Sequence, residues 1–234
     1  LGEFLAPHFR LVIPDLPGNG GSEKFGRGFF SPQAMAASVA GLLEELGVQP
    51  DHIVGHSAGA AVAVQGLDDG VFDADSLVAL NPALLPFSGL QGAIFSSSAK
   101  LLSRLPVVSE LIASRGRDSR AVDNLLRDIG SELPADVLER YQKLFGDPVH
   151  IRAVLMMMAE WDLDRIAKRL YKLTVPTLLL GGRLDRAVPF KQVSQLAQRL
   201  PSATCEFYEE GFIIMIVTFQ FDAKFIIRVT RDCC

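Results

Sequence analysis

Residues 52–61 read HIVGHSAGAA, and within them GHSAG sets Ser57 between Gly55 and Gly59. A serine in this G-x-S-x-G spacing, after an apolar run and before small residues, fits a sharp strand-to-helix turn that holds its hydroxyl out at the top of a sheet. Glycine suits both flanks because backbone meets backbone at such a turn and a side chain would collide. The N–H of Ala58 then lies at a helix N-terminus, where it can donate to a developing oxyanion. The spacing predicts Ser57 as a nucleophile and Ala58 as an oxyanion-hole donor; a purely structural Gly/Ser turn is the alternative.

A serine hydroxyl attacks a carbonyl only when a base takes its proton, and the base is oriented by a third group, usually a carboxylate. Asp185, in LLLGGRLDRAVP, follows an apolar run at the kind of strand end where parallel sheets gather functional groups. It is the candidate acid; a solvated loop aspartate paired with Arg183 or Arg186 is the alternative. Asp15, at another strand end, is read as fixing its own PGNGG loop. The histidines are His8, His52, His56 and His150, whereas a Ser, acid, His order puts the base after Asp185. His56 adjoins the serine, but adjacent residues at a tight turn point apart, so it is read as a packed residue of the turn. His52 is read as facing a loop and His8 as a surface residue. His150 is read as capping or decorating a helix, with a surrogate base as the alternative, since geometry and not chain order defines a triad. Phe87, Phe95, Met156, Met157, Met158 and Trp161 read first as core. If a helical cap closes over Ser57, His56, Phe87, Met157 and Trp161 would line an apolar substrate pocket.

These residues need a scaffold. FRLVIPD, HIVGHS and SLVALNP read as strands, separated by a helix capped at Ser31 with Met35, Val39, Leu42, Leu43 and Leu46 on one face, and by the small-residue helix AGAAVAVQGL. Strand and helix therefore alternate over residues 10–82, the pattern of parallel strands joined by crossover helices, which makes 1–82 the first part of an α/β core. Residues 83–172 are strand-poor and helical by period, which predicts a cap inserted into the α/β core. Alternation resumes over 173–210 with the strand VPTLLLGG, a helix from Phe190 to Leu200 and the strand-like ATCEFYEE. Residues 211–234 form an atypical tail, apolar, β-prone and strand-like by period.

Composition narrows the function. With 49% hydrophobic and 21% charged residues and a net charge of −4, the chain has no general attraction for nucleic acid. Its 3 cysteines, all late in the sequence, offer no disulfide framework and no metal-ligand spacing, which points to a reducing, cytoplasmic setting without a metal or other cofactor. No apolar stretch approaches the roughly 18–20 residues that a membrane-spanning helix needs.

FRLVIPDLPGNGGS, IVGHSAGAAVAV and VPTLLLGGRLDRAVP together resemble the α/β-hydrolase superfamily. That resemblance implies a mostly parallel sheet with helices on both faces and an inserted helical cap. MAASVAGLLEELGV, GHSAGAAVAV, LNPALLPFSGL, IFSSSAKLL and MMMAEWDL are more specifically similar to the magnesium-chelatase accessory family of bacteriochlorophyll biosynthesis, over residues 1–210. The resemblance implies Ser57 as nucleophile, the Ala58 N–H in the oxyanion hole and Asp185 as triad acid. It also implies a histidine in a GxGH-like segment after EFYEE, where GFIIMIV stands, and strands preceding residue 1. The expected function is thus a serine hydrolase, catalytically incomplete in this chain, for a small apolar or tetrapyrrole-like substrate, with magnesium chelatase subunits as partners. The alternatives are a generic esterase or carbon–carbon bond hydrolase, and a non-catalytic tetrapyrrole-binding accessory protein.

Overall fold

The computed structural model describes residues 1–22, 28–86, 105–128 and 134–209, together with the backbone of 225–229. A short helix α1 (Gly2–Leu5) leads into strand β1 (Arg10–Val12). The strand stops well inside the apolar run FRLVIPD, where Pro14 has no N–H to extend a ladder. Helix α2 (Pro32–Glu45) starts as expected: Ser31 is extended and its Oγ accepts the Ala34 N–H at 3.2 Å. Its buried stripe is Pro32, Met35, Ala36, Val39 and Leu43. Leu42 and Leu46, expected on that face, are 39% and 49% exposed because they fall at the solvent margin of the stripe.

Strand β2 (His52–His56), helix α3 (Ala58–Asp68) and strand β3 (Ser76–Leu80) follow the predicted alternation. Strand β4 (Thr177–Gly182), helix α9 (Phe190–Ala197) and strand β5 (Ala203–Tyr208) resume it. Between them lie α4 (Pro106–Gly116), α5 (Ser119–Asp128), α6 (Ala135–Phe145), α7 (Pro148–Glu160) and α8 (Leu163–Arg169), then a 3₁₀ turn Leu170–Lys172. Among the described residues of 83–172 no strand occurs. Val122, Leu126, Val137 and Tyr141 of α5 and α6 form a small core of their own. Ala153 and Met156 of α7, with Trp161, Ile166 and Leu170, belong instead to the main core.

The sheet runs β1-β6-β2-β3-β4-β5, where β6 is Phe225–Val229. Strands β2 to β5 pair in parallel, with Gly55 opposite Ala79 and Ala79 opposite Leu179. β6 runs antiparallel to both its neighbours, with Ile227 opposite Val12 and Ile53. Alternation along the strands divides their side chains between two faces. Ile53, Leu77, Ala79 and Leu179 are fully buried in one cluster with Met35, Ala61, Val193 and Leu196. Val54, Val78 and Leu180 are half-buried and gather around Leu80 and Leu1. Because β2, β3 and β4 are parallel, their carboxyl ends lie along one edge, and the loops that follow them meet there.

Candidate active site

Ser57 joins β2 to α3 with φ 49° and ψ −112°. L-residues rarely adopt such a backbone, which costs on the order of 1–3 kcal/mol and persists only where its surroundings hold it. The surroundings are visible. Ser57 N–H donates to Leu80 O at 2.9 Å, and Ser57 O accepts the N–H groups of Ala60 and Ala83, both at 3.2 Å. A Cβ on Gly55 would stand 2.6 Å from Ala60 Cα and 2.7 Å from Ala60 N, backbone atoms that cannot step aside. That is the close approach foreseen for the first glycine of GHSAG. Ala58 is the first residue of α3, so its N–H has no acceptor four residues back within the helix.

Asp185 follows β4 at the same edge of the sheet and is 5% exposed. Its Oδ1 accepts the N–H groups of Ala187 and Val188, each at 2.8 Å, and its Oδ2 accepts from Asn81 Nδ2. Burial pushes its carboxyl above the ordinary value of 3.8, and the three donors pull the other way. At 5% exposure it is not a solvated loop aspartate, and Arg183, one of the two arginines expected as partners beside Arg186, turns to Glu209 and lies against the rings of Phe190 and Phe207.

Asn81 is the residue that sequence reasoning missed. It is 1% exposed, has φ 39°, and accepts the Gly182 N–H on Oδ1 at 2.9 Å while donating to Asp185. The turn it occupies is therefore bonded both to the Ser57 backbone, through Leu80 and Ala83, and to the Asp185 carboxylate. The signal available was LNP at the end of a strand, since Asn tolerates left-handed backbone where most residues do not.

His56 ends β2 and is half-buried. Met157 is half-buried against the main core. Trp161 is 5% exposed and donates from Nε1 to Phe30 O at 3.0 Å. Phe87 and Phe95 lie outside the described residues. His52 starts β2, with its Nδ1 2.7 Å from the Oγ of Ser76 at the start of β3, at the opposite end of β2 from Ser57 and roughly 16 Å away at the rise of a strand. His150 neither caps nor decorates α7. Asp147 caps that helix through the Val149 N–H, and His150 is buried in its first turn. His8 is exposed beside Phe9. Asp15 holds its loop as expected, accepting the Gly21 N–H on Oδ2 at 2.9 Å and the Ser22 hydroxyl on its carbonyl at 2.6 Å.

The end of α7 is bonded to the loop at residues 28–30 by contacts no local pattern announced. Glu160 accepts the N–H groups of Gly28 and Phe30, both at 3.1 Å, beside the Trp161 bond to Phe30. Among the described residues no group of three or more His, Cys, Asp or Glu is placed to hold a metal ion, and no helix is long and apolar enough to cross a membrane.

The sequence pattern of the alpha/beta hydrolase family matches residues 1–213. The magnesium-chelatase 30 kDa subunit of Rhodobacter capsulatus is 35% identical over 211 residues, 90% of this chain and 73% of that protein. The 2-hydroxy-6-oxo-6-phenylhexa-2,4-dienoate hydrolase of Burkholderia cepacia is 23% identical over 210 residues, 87% of this chain and 70% of that protein. A thermophilic esterase from Thermogutta terrifontis superposes with a TM-score of 0.65 at 24% identity, covering 88% of this chain and 74% of the esterase.

Proposed function

The chain belongs to the alpha/beta hydrolase family, and from that premise we propose that it is a serine-hydrolase scaffold for a bulky, apolar or tetrapyrrole-like substrate, working beside magnesium chelatase. The observation that carries the reading is the turn at Asn81, bonded at once to the backbone of a strained Ser57 and to a buried Asp185. In this reading Ser57 Oγ forms a bond to a substrate carbonyl carbon as the carbonyl oxygen becomes an oxyanion facing the Ala58 N–H. The Oγ proton passes to a base oriented by Asp185. His52 bonds Ser76 at the far end of β2, and no histidine stands between Asp185 and residue 234, so in this reading the given residues supply no base in the Ser, acid, His order and turn over slowly. Loss of a triad member costs about 10⁴- to 10⁶-fold in serine enzymes.

A fluorophosphonate probe tests the reading. We expect slow, stoichiometric labelling that Ser57→Ala abolishes; labelling unaffected by that substitution would remove the nucleophile. The same histidine placement, with the name of the Rhodobacter relative, supports a second reading in which the protein presents a tetrapyrrole without catalysis. Magnesium protoporphyrin binding that is equally tight in Ser57→Ala, with no product formed, would favour it. Absence of any absorption change on titration would instead favour an ordinary esterase or carbon–carbon bond hydrolase.

A further inference from the structure

The three donors around Asp185 do different things. The two backbone N–H groups both meet Oδ1, so that oxygen cannot carry a proton without losing one of them. Asn81 meets Oδ2, and its orientation is not free. Gly182 N–H can only donate, so the Asn81 atom facing it must be the carbonyl Oδ1, which leaves Nδ2 to face Asp185. A carboxylate has about four lone-pair positions; among the described residues three are taken, and the fourth, on Oδ2, is left for one more donor.

We propose that Asn81 is a positioning residue: its amide bridges Gly182 and Asp185 so that Oδ2 is held as an ionised acceptor with a single lone pair left for the base that the hydrolytic reading requires. This rests on the hydrolase reading of Ser57 and Asp185. Residue type and backbone agree with the role. The position requires φ 39°, which Asn tolerates, and both bonds need a side chain that donates at one atom and accepts at the other. Aspartate would fit the turn but set one carboxylate against another; glycine would keep the turn and lose the bridge. Opposing burial is the energetic point. A hydrogen bond to the charged form favours it, and Asn81 is the donor that acts on the oxygen left accessible to a partner.

The test follows the Asp185 ¹³Cγ resonance through a pH titration in the full chain, for wild type, Asn81→Gly and Asn81→Asp. We expect the midpoint to move upward in Asn81→Gly and further upward in Asn81→Asp. An unchanged midpoint in folded variants would overturn the proposal, because a residue that merely shapes the turn would leave Asp185 titration alone. Should both variants fail to fold, the wild type suffices: the Asn81 side-chain ¹⁵N amide must titrate with the same midpoint as Asp185, and its indifference to that titration would be equally fatal. Fluorophosphonate labelling of Ser57 is read separately on the wild type. Labelling no faster than the Ser57→Ala background would end the hydrolase reading while leaving the Asn81–Asp185 coupling standing or falling on the titration.

Discussion

At φ 49° and ψ −112° Ser57 stores strain that a glycine would not, which separates two substitutions at one position. Ser57→Ala keeps a Cβ and should leave stability within about 0.5 kcal/mol of wild type, whereas Ser57→Gly should raise it by about 1 kcal/mol in urea denaturation; both abolish labelling. Gly55→Ala goes the other way, because its new methyl would press on the Ala60 backbone; we expect a loss of about 1–3 kcal/mol or failure to fold. Asp185 carries a pH signature. Its folded carboxyl is raised above 3.8 by burial, so in the interval just above that value the native state binds more protons than the unfolded chain. Stability contributed at this site therefore falls as pH rises through the interval and then levels off. Thermal melts of wild type and Asp185→Asn should show a difference that turns against wild type as pH rises out of the ordinary carboxylate range. The placement of Ser57, Ala58 and Asp185 at strand ends was legible because each sits in a local pattern of strand and turn. Asn81 was not, because a single Asn after a strand reads the same whether it faces solvent or a buried carboxylate.

Among the elements, α7 and the loop at residues 28–30 are joined by side-chain bonds across 130 residues or more. Glu160 and Trp161 together bond Gly28 and Phe30, and Phe30 itself is 4% exposed. Trp161→Phe keeps most of the ring volume but leaves the Phe30 carbonyl without its indole donor, at a cost of about 1–3 kcal/mol. Hydrogen exchange should report it as faster exchange at residues 28–30, with β3 to β5 unchanged; uniform loss of protection would mean that the bond opens only on global unfolding. Helix α2 shows how far element-level reading reaches. Its cap at Ser31 and its period were plain in the sequence, while the outward position of Leu42 and Leu46 depended on how wide a stripe the neighbouring α3 and sheet cover. His150 makes the same point, since a histidine in the first turn of a helix is buried or exposed according to what packs on it.

For the whole molecule, the consequential feature is β6, set antiparallel between β1 and β2. β1 is three residues long and reaches the sheet through β6. Ile227→Pro would remove a ladder donor from a strand paired on both sides, so amides of Arg10–Val12 should exchange faster while those of β4 and β5 hold; unaltered exchange at β1 would deny β6 that role. The alternation read in the tail lies on residues 217–225, outside the described residues except for Phe225, and the partners of β6 at Phe225–Val229 had no local signal. What the sequence by itself determined is the alternation of strands and helices, the helical character of the described cap residues, and the two strand ends that carry Ser57 and Asp185, because apolar period, helix caps and glycine turns act over a few residues. Only the tertiary structure decided that Asn81 reaches Asp185 across 104 residues, that Glu160 reaches Phe30 across 130, and that β6 enters the sheet between β1 and β2. Such contacts depend on strand order and on which surfaces pack together, and neither is encoded within a window of neighbouring residues.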